Sequence, residues 1–351
     1  MKTKAVKIFV AVMLIAGFFV LTACSDANDA NEANALINTG AAAQGTENPA
    51  VTPPAPQELD PEELDKRWLT DRAGRFVGIP HEITTIVTLG ASNTEIVAAL
   101  GFTDKIIGAD TFSEDVTGIT HDVTLIDMWN MDAETVIALD ADLVIAASDL
   151  FFDNTLDLLA DAGTAVLFIP TSNTITGIYE DIQFLGLALN AEAEAEDIIR
   201  NMHEEIERIQ TIADSITISR SVYFEIETPP FMFTFGAGTF LDEMLQIIGA
   251  ENVFRDYGQW VSVSDEQVIA ANPDVILTNV GWVVDHVADM QSRPGWNGLD
   301  AVRGNNIFVI DANSSSRPTH NIIIALDQIA RAVYPKYFGP PACRIVAGHR
   351  F

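Results

Sequence analysis

Short apolar runs alternate with amphipathic segments along most of the chain, separated by glycine or polar turns. In TTIVTLGASNTEIVAALGFTDKIIGAD, the runs Ile86–Leu89 and Lys105–Ile107 flank a segment of helical periodicity that begins near Ser92. Two such runs joined by a helix form a βαβ unit, which requires parallel strands. The same order recurs in ETVIALDADLVIAAS and in LLADAGTAVLFIP. We therefore predict that the first half of the chain is an α/β lobe whose sheet is covered on both faces.

One long segment without glycine or proline separates this half from the next. AEAEAEDIIRNMHEEIERIQTIADS is rich in strong helix formers and carries isoleucines along one side. The βαβ pattern then restarts, with strands predicted at Ser221–Ile226 and Ile307–Ile310 and a last helix at Ile322–Val333. The predicted α/β organisation is an N-terminal lobe over 68–189, an interlobe helix over 190–216, a C-terminal lobe over 217–338 and a tail over 339–351.

The two halves also repeat each other in sequence. DAETVIALDADLVIA and SDEQVIAANPDVILT align without a gap, which places Glu134 on Glu266. NTEIVAALG and LDEMLQIIG match in the same order, which places Glu95 on Glu243. Two matched units in one order favour a duplicated structural unit over a chance recurrence of a common helix-strand pattern.

The N-terminus predicts an exported, lipid-anchored protein. Three lysines precede an apolar run from Ile8 to about Leu21, which is short for a membrane span and typical of a secretory signal. The following LTAC resembles the bacterial lipobox, which implies a signal peptide over 1–23 and lipidation of Cys24. Residues 24–67, rich in alanine, asparagine, glutamate and proline, are predicted to be a disordered tether from the lipid to the folded body.

Composition and missing motifs exclude several classes of function. Lysine and arginine number 19 against 50 aspartates and glutamates, a net charge of −31, and a phosphate backbone would repel such a surface. The six histidines show no pair at ligand spacing, which argues against a binder of bare zinc or manganese. G-x-S-x-G, P-loop and H-E-x-x-H motifs are absent, so we expect no catalytic residues. A membrane-tethered hydrolase remains the alternative from another class.

The lipobox, the tether and the repeats, with GRFVGIP and RPGWNGLDAVRGNNIFVIDANSSSRPTHNIIIALDQIARAVYP, resemble the substrate-binding proteins of bacterial ABC importers for ferric siderophores, haem and cobalamin. The resemblance covers nearly all of residues 74–338. It implies the class III periplasmic-binding-protein architecture, in which one long rigid helix joins two Rossmann-like lobes and cargo binds between them. It also implies a monomer without an intrinsic cofactor. Such a protein works on the extracytoplasmic face of the cell membrane, at a cell surface or in a periplasm, with permease subunits and a cytoplasmic ATPase.

The resemblance assigns permease docking to Glu134 and Glu266, because one glutamate of each lobe binds an arginine pocket of the importer in this family. The residues alone are compatible with this role. Asp132 and Ser264 stand where a helix N-cap belongs, and SDEQ fits a capping box with Gln267. Both glutamates would then lie in a first helical turn, where the helix dipole favours a carboxylate. A first-turn glutamate could equally do no more than support its helix.

Ligand contacts are expected in loops at the carboxyl ends of the strands of both lobes. Trp129 and Trp260 precede the two glutamates at corresponding positions, much as tryptophans do in the cobalamin binders of the family. Arg317, in SSSRPTH, resembles a ligand-facing segment of the family, although His320 and Asn321 replace the Pro-Arg pair common there. The remaining candidates are Arg255, Tyr257 and Phe112 as contacts, and Met131, Phe235 and Trp282 as walls.

A cleft with so few basic groups favours a neutral or weakly anionic chelate over a highly anionic catecholate. The expected cargo is a ferric siderophore, for example of the hydroxamate type, with a corrinoid such as cobalamin or haem as alternatives. Haem would need an axial ligand, for which His320, His121 and Met131 are the candidates.

Overall fold

The computed structural model describes residues 66–147 and 155–341. The predicted signal peptide, the lipidation site Cys24 and the tail beyond residue 341 lie outside the described residues, as does the side chain of Trp129. Within the two described ranges, no helix has the length and apolar character needed to cross a membrane.

The folded body begins with an antiparallel hairpin of β1 (Lys66–Thr70) and β2 (Phe76–Pro80). Lys66 and Arg67, the last two residues of the predicted tether over 24–67, belong to β1. Lys66 pairs with Pro80, and the Arg67 guanidinium donates to Asn190 Oδ1 at 2.6 Å. Pairing with a distant segment outweighs the polar composition of these two residues.

The N-terminal lobe contains a five-stranded parallel sheet in the order β5-β4-β3-β6-β7. The central strands β3 and β6 are buried along their whole length, which explains why Thr88 is their one polar residue. The strands are Ile86–Leu89 (β3), Ile106–Asp110 (β4), Thr124–Ile126 (β5), Leu143–Ala146 (β6) and Ala165–Phe168 (β7). The helices are Ala91–Val97 (α1), Ala133–Ile137 (α2), Thr155–Asp161 (α3) and Ile175–Leu189 (α4).

One helix, α5 (Glu192–Ala213), joins the lobes. The predicted segment ran over 190–216, and α5 starts after 190 because Asn190 adopts a left-handed conformation that ends α4. The 22 residues of α5 span about 33 Å. Its buried residues Met202 and Ile209 belong to a continuous apolar cluster that includes core residues of both lobes.

The C-terminal lobe contains a four-stranded parallel sheet in the order β10-β8-β12-β13 and a separate antiparallel ribbon of β9 and β11. The strands are Ser221–Glu225 (β8), Phe233–Phe235 (β9), Glu251–Asn252 (β10), Trp260–Ser262 (β11), Val275–Thr278 (β12) and Ile307–Val309 (β13). The helices are Phe240–Ile247 (α6), Asp265–Ala271 (α7), His286–Ser292 (α8), Asp300–Arg303 (α9), Ala312–Ser316 (α10), Ile322–Val333 (α11) and Pro335–Phe338 (α12).

The two sheets repeat one spatial order. β4-β3-β6-β7 in the first lobe corresponds to β10-β8-β12-β13 in the second, and the matched sequence stretches end in β6 and β12. The duplication read from the sequence is therefore also a duplication of sheet topology. Two α/β lobes joined by one helix are the predicted architecture.

Candidate functional site

The carboxyl ends of the two parallel sheets face the boundary between the lobes. Arg317, which follows β13, contacts Glu95 of α1, which follows β3. Trp260 Nε1 of the second lobe donates to Oδ1 of Asn173, beyond β7 of the first, at 3.0 Å. Because ligands of open α/β sheets bind beyond the carboxyl ends of the strands, this boundary is the candidate cleft.

Arg317 donates three hydrogen bonds to the opposite lobe. Nη1 lies 2.6 Å from Glu95 Oε1, and Nη2 lies 2.8 Å from the Phe112 carbonyl and 2.7 Å from Asp115 Oδ1. The side chain is 13% exposed. The structure thus places this predicted ligand contact in an ion-pair network between the lobes. Sequence reasoning did not identify its partners, and the only signal was the match of Glu95 with Glu243.

A buried carboxylate shapes the loop that meets Arg317. Asp110, at the end of β4, accepts hydrogen bonds from the amides of Gly90 at 2.8 Å and Phe112 at 2.7 Å. Burial raises the pKa of Asp110, against the effect of these bonds. For Asp115, partial burial acts to raise the pKa, but hydrogen bonds from Arg317 and Asn313 lower it below its usual value. Phe112 is thereby held at the boundary by its backbone.

Three further predicted ligand residues, Trp260, Tyr257 and Arg255, lie in the C-terminal lobe. Trp260 begins β11 and packs its ring edge-on against Phe235, with centroids 6.4 Å apart. Tyr257 is 54% exposed. Arg255 bonds within its own lobe, to Asp242 Oδ2 at 3.4 Å and to a neighbouring glutamine.

Two exposed apolar loops leave neighbouring strands at the cleft edge of the C-terminal sheet. Phe231, 68% exposed, lies between β8 and β9, and Trp282 and Val284, 38% and 99% exposed, follow β12. Since β8 and β12 pair in parallel, both loops begin at the same edge. Trp282 was predicted from the sequence, but Phe231 and Val284 were not, although each lies in the loop that follows a strand of the parallel sheet.

The described arginines already have hydrogen-bond partners. Each arginine of ranges 66–147 and 155–341 donates to a carboxylate, a carboxamide or a backbone carbonyl oxygen. The cleft edges also carry buried carboxylates, among them Asp110 and Glu225. No group of three or more histidine, cysteine, aspartate or glutamate side chains within those ranges is arranged to hold a metal ion.

The three candidate haem ligands lie in different environments. His121 has a side chain 92% exposed and lies beside Asp122. Met131 is half-buried just before α2. His320 is half-buried beside the Glu95 network, and its buried Nδ1 has no hydrogen-bond partner among the described residues. Burial lowers the pKa of His320, so its imidazole is held neutral.

Because burial lowers the pKa of His320, we expect the protein to lose stability in mild acid. The unfolded chain takes up a proton at this residue below about pH 6.5, whereas the folded chain resists it, so stability falls as the pH drops through that value. We expect Tm to decrease between about pH 7.5 and 5.5, and His320→Gln to reduce this slope. His121→Gln, at a side chain that is 92% exposed, serves as the comparison. Equal slopes in wild type and His320→Gln would contradict the assignment.

The two predicted docking glutamates lie at equivalent, exposed helix starts. Asp132 caps α2 through the Glu134 amide, at 3.2 Å. Ser264 caps α7, and both bonds of the predicted capping box with Gln267 are present. Glu134 and Glu266 each occupy the second helical position and are exposed. A hydrogen bond from its own backbone amide, then one from Ser264, lower the pKa of Glu266.

Several known proteins are similar to this chain in sequence and in fold. The chain is 31% identical over 277 residues to an uncharacterized ABC transporter substrate-binding lipoprotein, YvrC, of Bacillus subtilis, covering 77% of this chain and 86% of that protein. A vitamin B12-binding protein of Vibrio parahaemolyticus is 25% identical over 248 residues, covering 70% of this chain and 88% of that protein.

A solved structure of a possible iron-binding (periplasmic solute-binding) protein from Staphylococcus epidermidis superposes with a TM-score of 0.65 at 26% identity, covering 72% of this chain and 99% of that one. Residues 86–314 match the periplasmic binding protein family. The predicted fold class is confirmed, and the chain belongs to the periplasmic binding protein family.

Proposed function

We propose that this protein is the extracytoplasmic substrate-binding lipoprotein of an ABC importer and that it captures a bulky metal chelate between its lobes. The lipobox at Cys24 and the relative named as an ABC transporter substrate-binding lipoprotein support the anchor and the transport role. Glu134 and Glu266 would dock on the two permease subunits, because they are exposed at equivalent positions of the two lobes. The protein would act as a monomer, without catalysis of its own.

The charge of the cleft carries the proposal for the cargo. Arg317 is the arginine best placed to meet an anion between the lobes, and Glu95, Asp115 and the Phe112 carbonyl already accept hydrogen bonds from its two terminal nitrogens. A highly anionic chelate would have to displace carboxylates already bonded there and would approach a chain of net charge −31. A ferric chelate that is neutral or weakly anionic, such as a hydroxamate siderophore, fits this cleft better than a catecholate complex.

The exposed side chains of Phe231, Trp282 and Val284 favour a cargo that has an apolar surface. A corrinoid offers both low charge and a large apolar surface, and several relatives are named vitamin B12-binding proteins. It is therefore the second candidate, and haem is the third.

A thermal-shift panel tests the cargo class. The members are hydroxamate, catecholate and citrate complexes of iron, together with haem, cobalamin and cobinamide. A ligand at a hundred times its Kd contributes about 2.7 kcal/mol of stability, which raises the Tm of a domain of this size by roughly 5–10 °C. We expect that shift with a hydroxamate complex or a corrinoid and none with the catecholate. A shift with none of the six would contradict the proposed ligand class.

A pair of equally exposed phenylalanines separates binding from folding in the same panel. Phe231 lies at the cleft edge and Phe76 lies in β2, and both are 68% exposed. Phe231→Ser should reduce the ligand-induced shift with little change in the Tm of the free protein. Phe76→Ser should leave the ligand-induced shift unchanged. Equal ligand responses of the two variants would remove the C-terminal loops from the proposed binding site.

A further inference from the structure

Glu95 and Glu243, aligned by the sequence duplication, each reach into the opposite lobe. Glu95 lies in α1, which follows β3, and Glu243 lies in α6, which follows β8 and its ribbon strand β9. These two helices occupy equivalent places, since β3 and β8 hold matching positions in the two sheets.

Glu95 bonds the segment that begins α11 of the C-terminal lobe. Its Oε1 accepts from Arg317 at 2.6 Å, and its Oε2 accepts from Thr319 Oγ1 at 2.7 Å and Asn321 Nδ2 at 2.9 Å. Asn321 is the residue just before α11. Glu95 is 7% exposed, so these bonds are largely shielded from water.

Glu243 makes the reciprocal contact. Its Oε2 accepts from the backbone amide of Ile175 at 2.7 Å, and Ile175 is the first residue of α4 in the N-terminal lobe. α4 follows β7 as α11 follows β13, and β7 and β13 also hold matching places in the sheets. Each glutamate therefore lies at the start of the equivalent helix of the other lobe.

The two contacts share an acceptor, a carboxylate, but differ in their donors. Glu243 accepts from a backbone amide at the start of α4, whereas Glu95 accepts from side chains of the segment just before α11. The first amides of a helix lack partners within it, and the helix dipole is positive at that end, so a carboxylate there is stabilised. Bonds to an ionised group are also shorter and stronger than neutral ones. Because the carboxylate comes from the other lobe, this stabilisation is lost when the two lobes move apart.

We propose that Glu95 and Glu243 form a reciprocal clamp, in which each glutamate accepts hydrogen bonds at or just before the start of a helix in the opposite lobe and fixes the spacing of the lobes. The apolar cluster around α5 holds the lobes along the connecting helix, and the clamp adds two polar attachments between their facing edges. Both residues act as positioning residues. The clamp also sets the separation of α2 and α7, and this consequence for docking rests on the proposed function.

The distance between α2 and α7 measures the clamp directly. Ala138 and Ala270 are equivalent in the duplication, and both are exposed. Ala138 directly follows α2, and Ala270 lies in the last turn of α7. Spin labels on Ala138→Cys and Ala270→Cys, in the full chain with Cys24→Ser and Cys343→Ser, report the distance by pulsed electron paramagnetic resonance. We expect Glu95→Gln/Glu243→Gln to broaden the distance distribution and lengthen its mean, with smaller changes in each single variant.

Two controls separate the clamp from a general loss of stability. Glu114→Gln/Glu251→Gln removes the same two charges from exposed positions and should leave the distribution unchanged. Glu225→Gln breaks a buried ion pair inside the C-terminal lobe, so it should lower Tm without changing the distance. Thr319→Val, which removes one donor to Glu95, serves as a milder variant if the double variant fails to fold.

An unchanged distribution in Glu95→Gln/Glu243→Gln, or in Thr319→Val where the double variant is unfolded, overturns the clamp. The measurement uses the free protein and needs neither cargo nor permease. If no member of the ligand panel binds, the proposed cargo is wrong, but the distance measurement still tests the clamp.

Discussion

Replacing Glu134 and Glu266 together by lysine is expected to abolish import of the cargo while leaving its binding unchanged. Both carboxylates are exposed at the second position of their helices, so neither contributes to the core of its lobe. At a docking interface each reversal would turn attraction to a cationic pocket into repulsion, and we expect a loss of roughly a hundredfold or more. Uptake of the chelate selected by the thermal-shift panel, measured in cells that carry the variant, is the readout.

A matched double reversal controls for net charge. Glu204, on α5, and Glu251, on β10, are exposed glutamates outside α2 and α7, and their replacement by lysine changes the charge of the protein by the same amount. Uptake should survive in this control. Uptake that also survives Glu134→Lys/Glu266→Lys, with cargo binding intact, would show that the two glutamates only support their helices.

The largest expected loss of stability comes from removing Arg293. Its guanidinium bonds both oxygens of Glu225, whose side chain is wholly buried at the end of β8, and it stacks 4.4 Å from the ring centre of Trp296. Arg293→Ala would leave a buried carboxylate without its partner, which costs about 3–5 kcal/mol. Urea unfolding of wild type and variant measures the difference.

Arg303→Ala supplies the comparison for that experiment. Arg303 pairs with Asp300 at 3.3 Å, and both side chains are more than half exposed. The free energy of unfolding should change by no more than about 0.5 kcal/mol. Similar losses for the two arginine variants would mean that burial does not decide the strength of these pairs.

Local signals in the sequence predicted the framework of the protein. Ile86–Leu89 and Leu143–Ala146 are short apolar runs, and they form the buried central strands β3 and β6 with those bounds. SDEQ carries both halves of a capping box, and α7 begins as that motif requires. Such features depend on residues within a few positions of one another, so the sequence displays them directly.

The predicted ends of the connecting helix were less accurate. Residues 190–216 contain strong helix formers, yet α5 runs from Glu192 to Ala213. Asn190 takes a left-handed conformation, and the Ala191 amide bonds back to the Gly186 carbonyl at 2.7 Å. A Cβ at Gly186 would lie 2.5 Å from the Cβ of Ala195, so the close packing of α4 on α5 sets this junction.

Arg317 shows where sequence reasoning reaches its limit. Its segment resembles a ligand-facing part of the family, and nothing near it in the sequence reveals the carboxylates that bind it. Glu95 and Asp115 lie more than 200 residues away along the chain and meet Arg317 only when the two lobes face each other. The same holds for Glu243 and the start of α4.

Periodicity and capping are short-range properties, so the two α/β lobes, the helix between them, the duplication and the helix starts that carry Glu134 and Glu266 could all be predicted from the sequence. Which charged groups of the cleft are paired, and which apolar side chains are exposed, became visible only in the folded protein. Pairing and exposure depend on how the two lobes approach each other, because each of these contacts joins segments that are far apart in the chain.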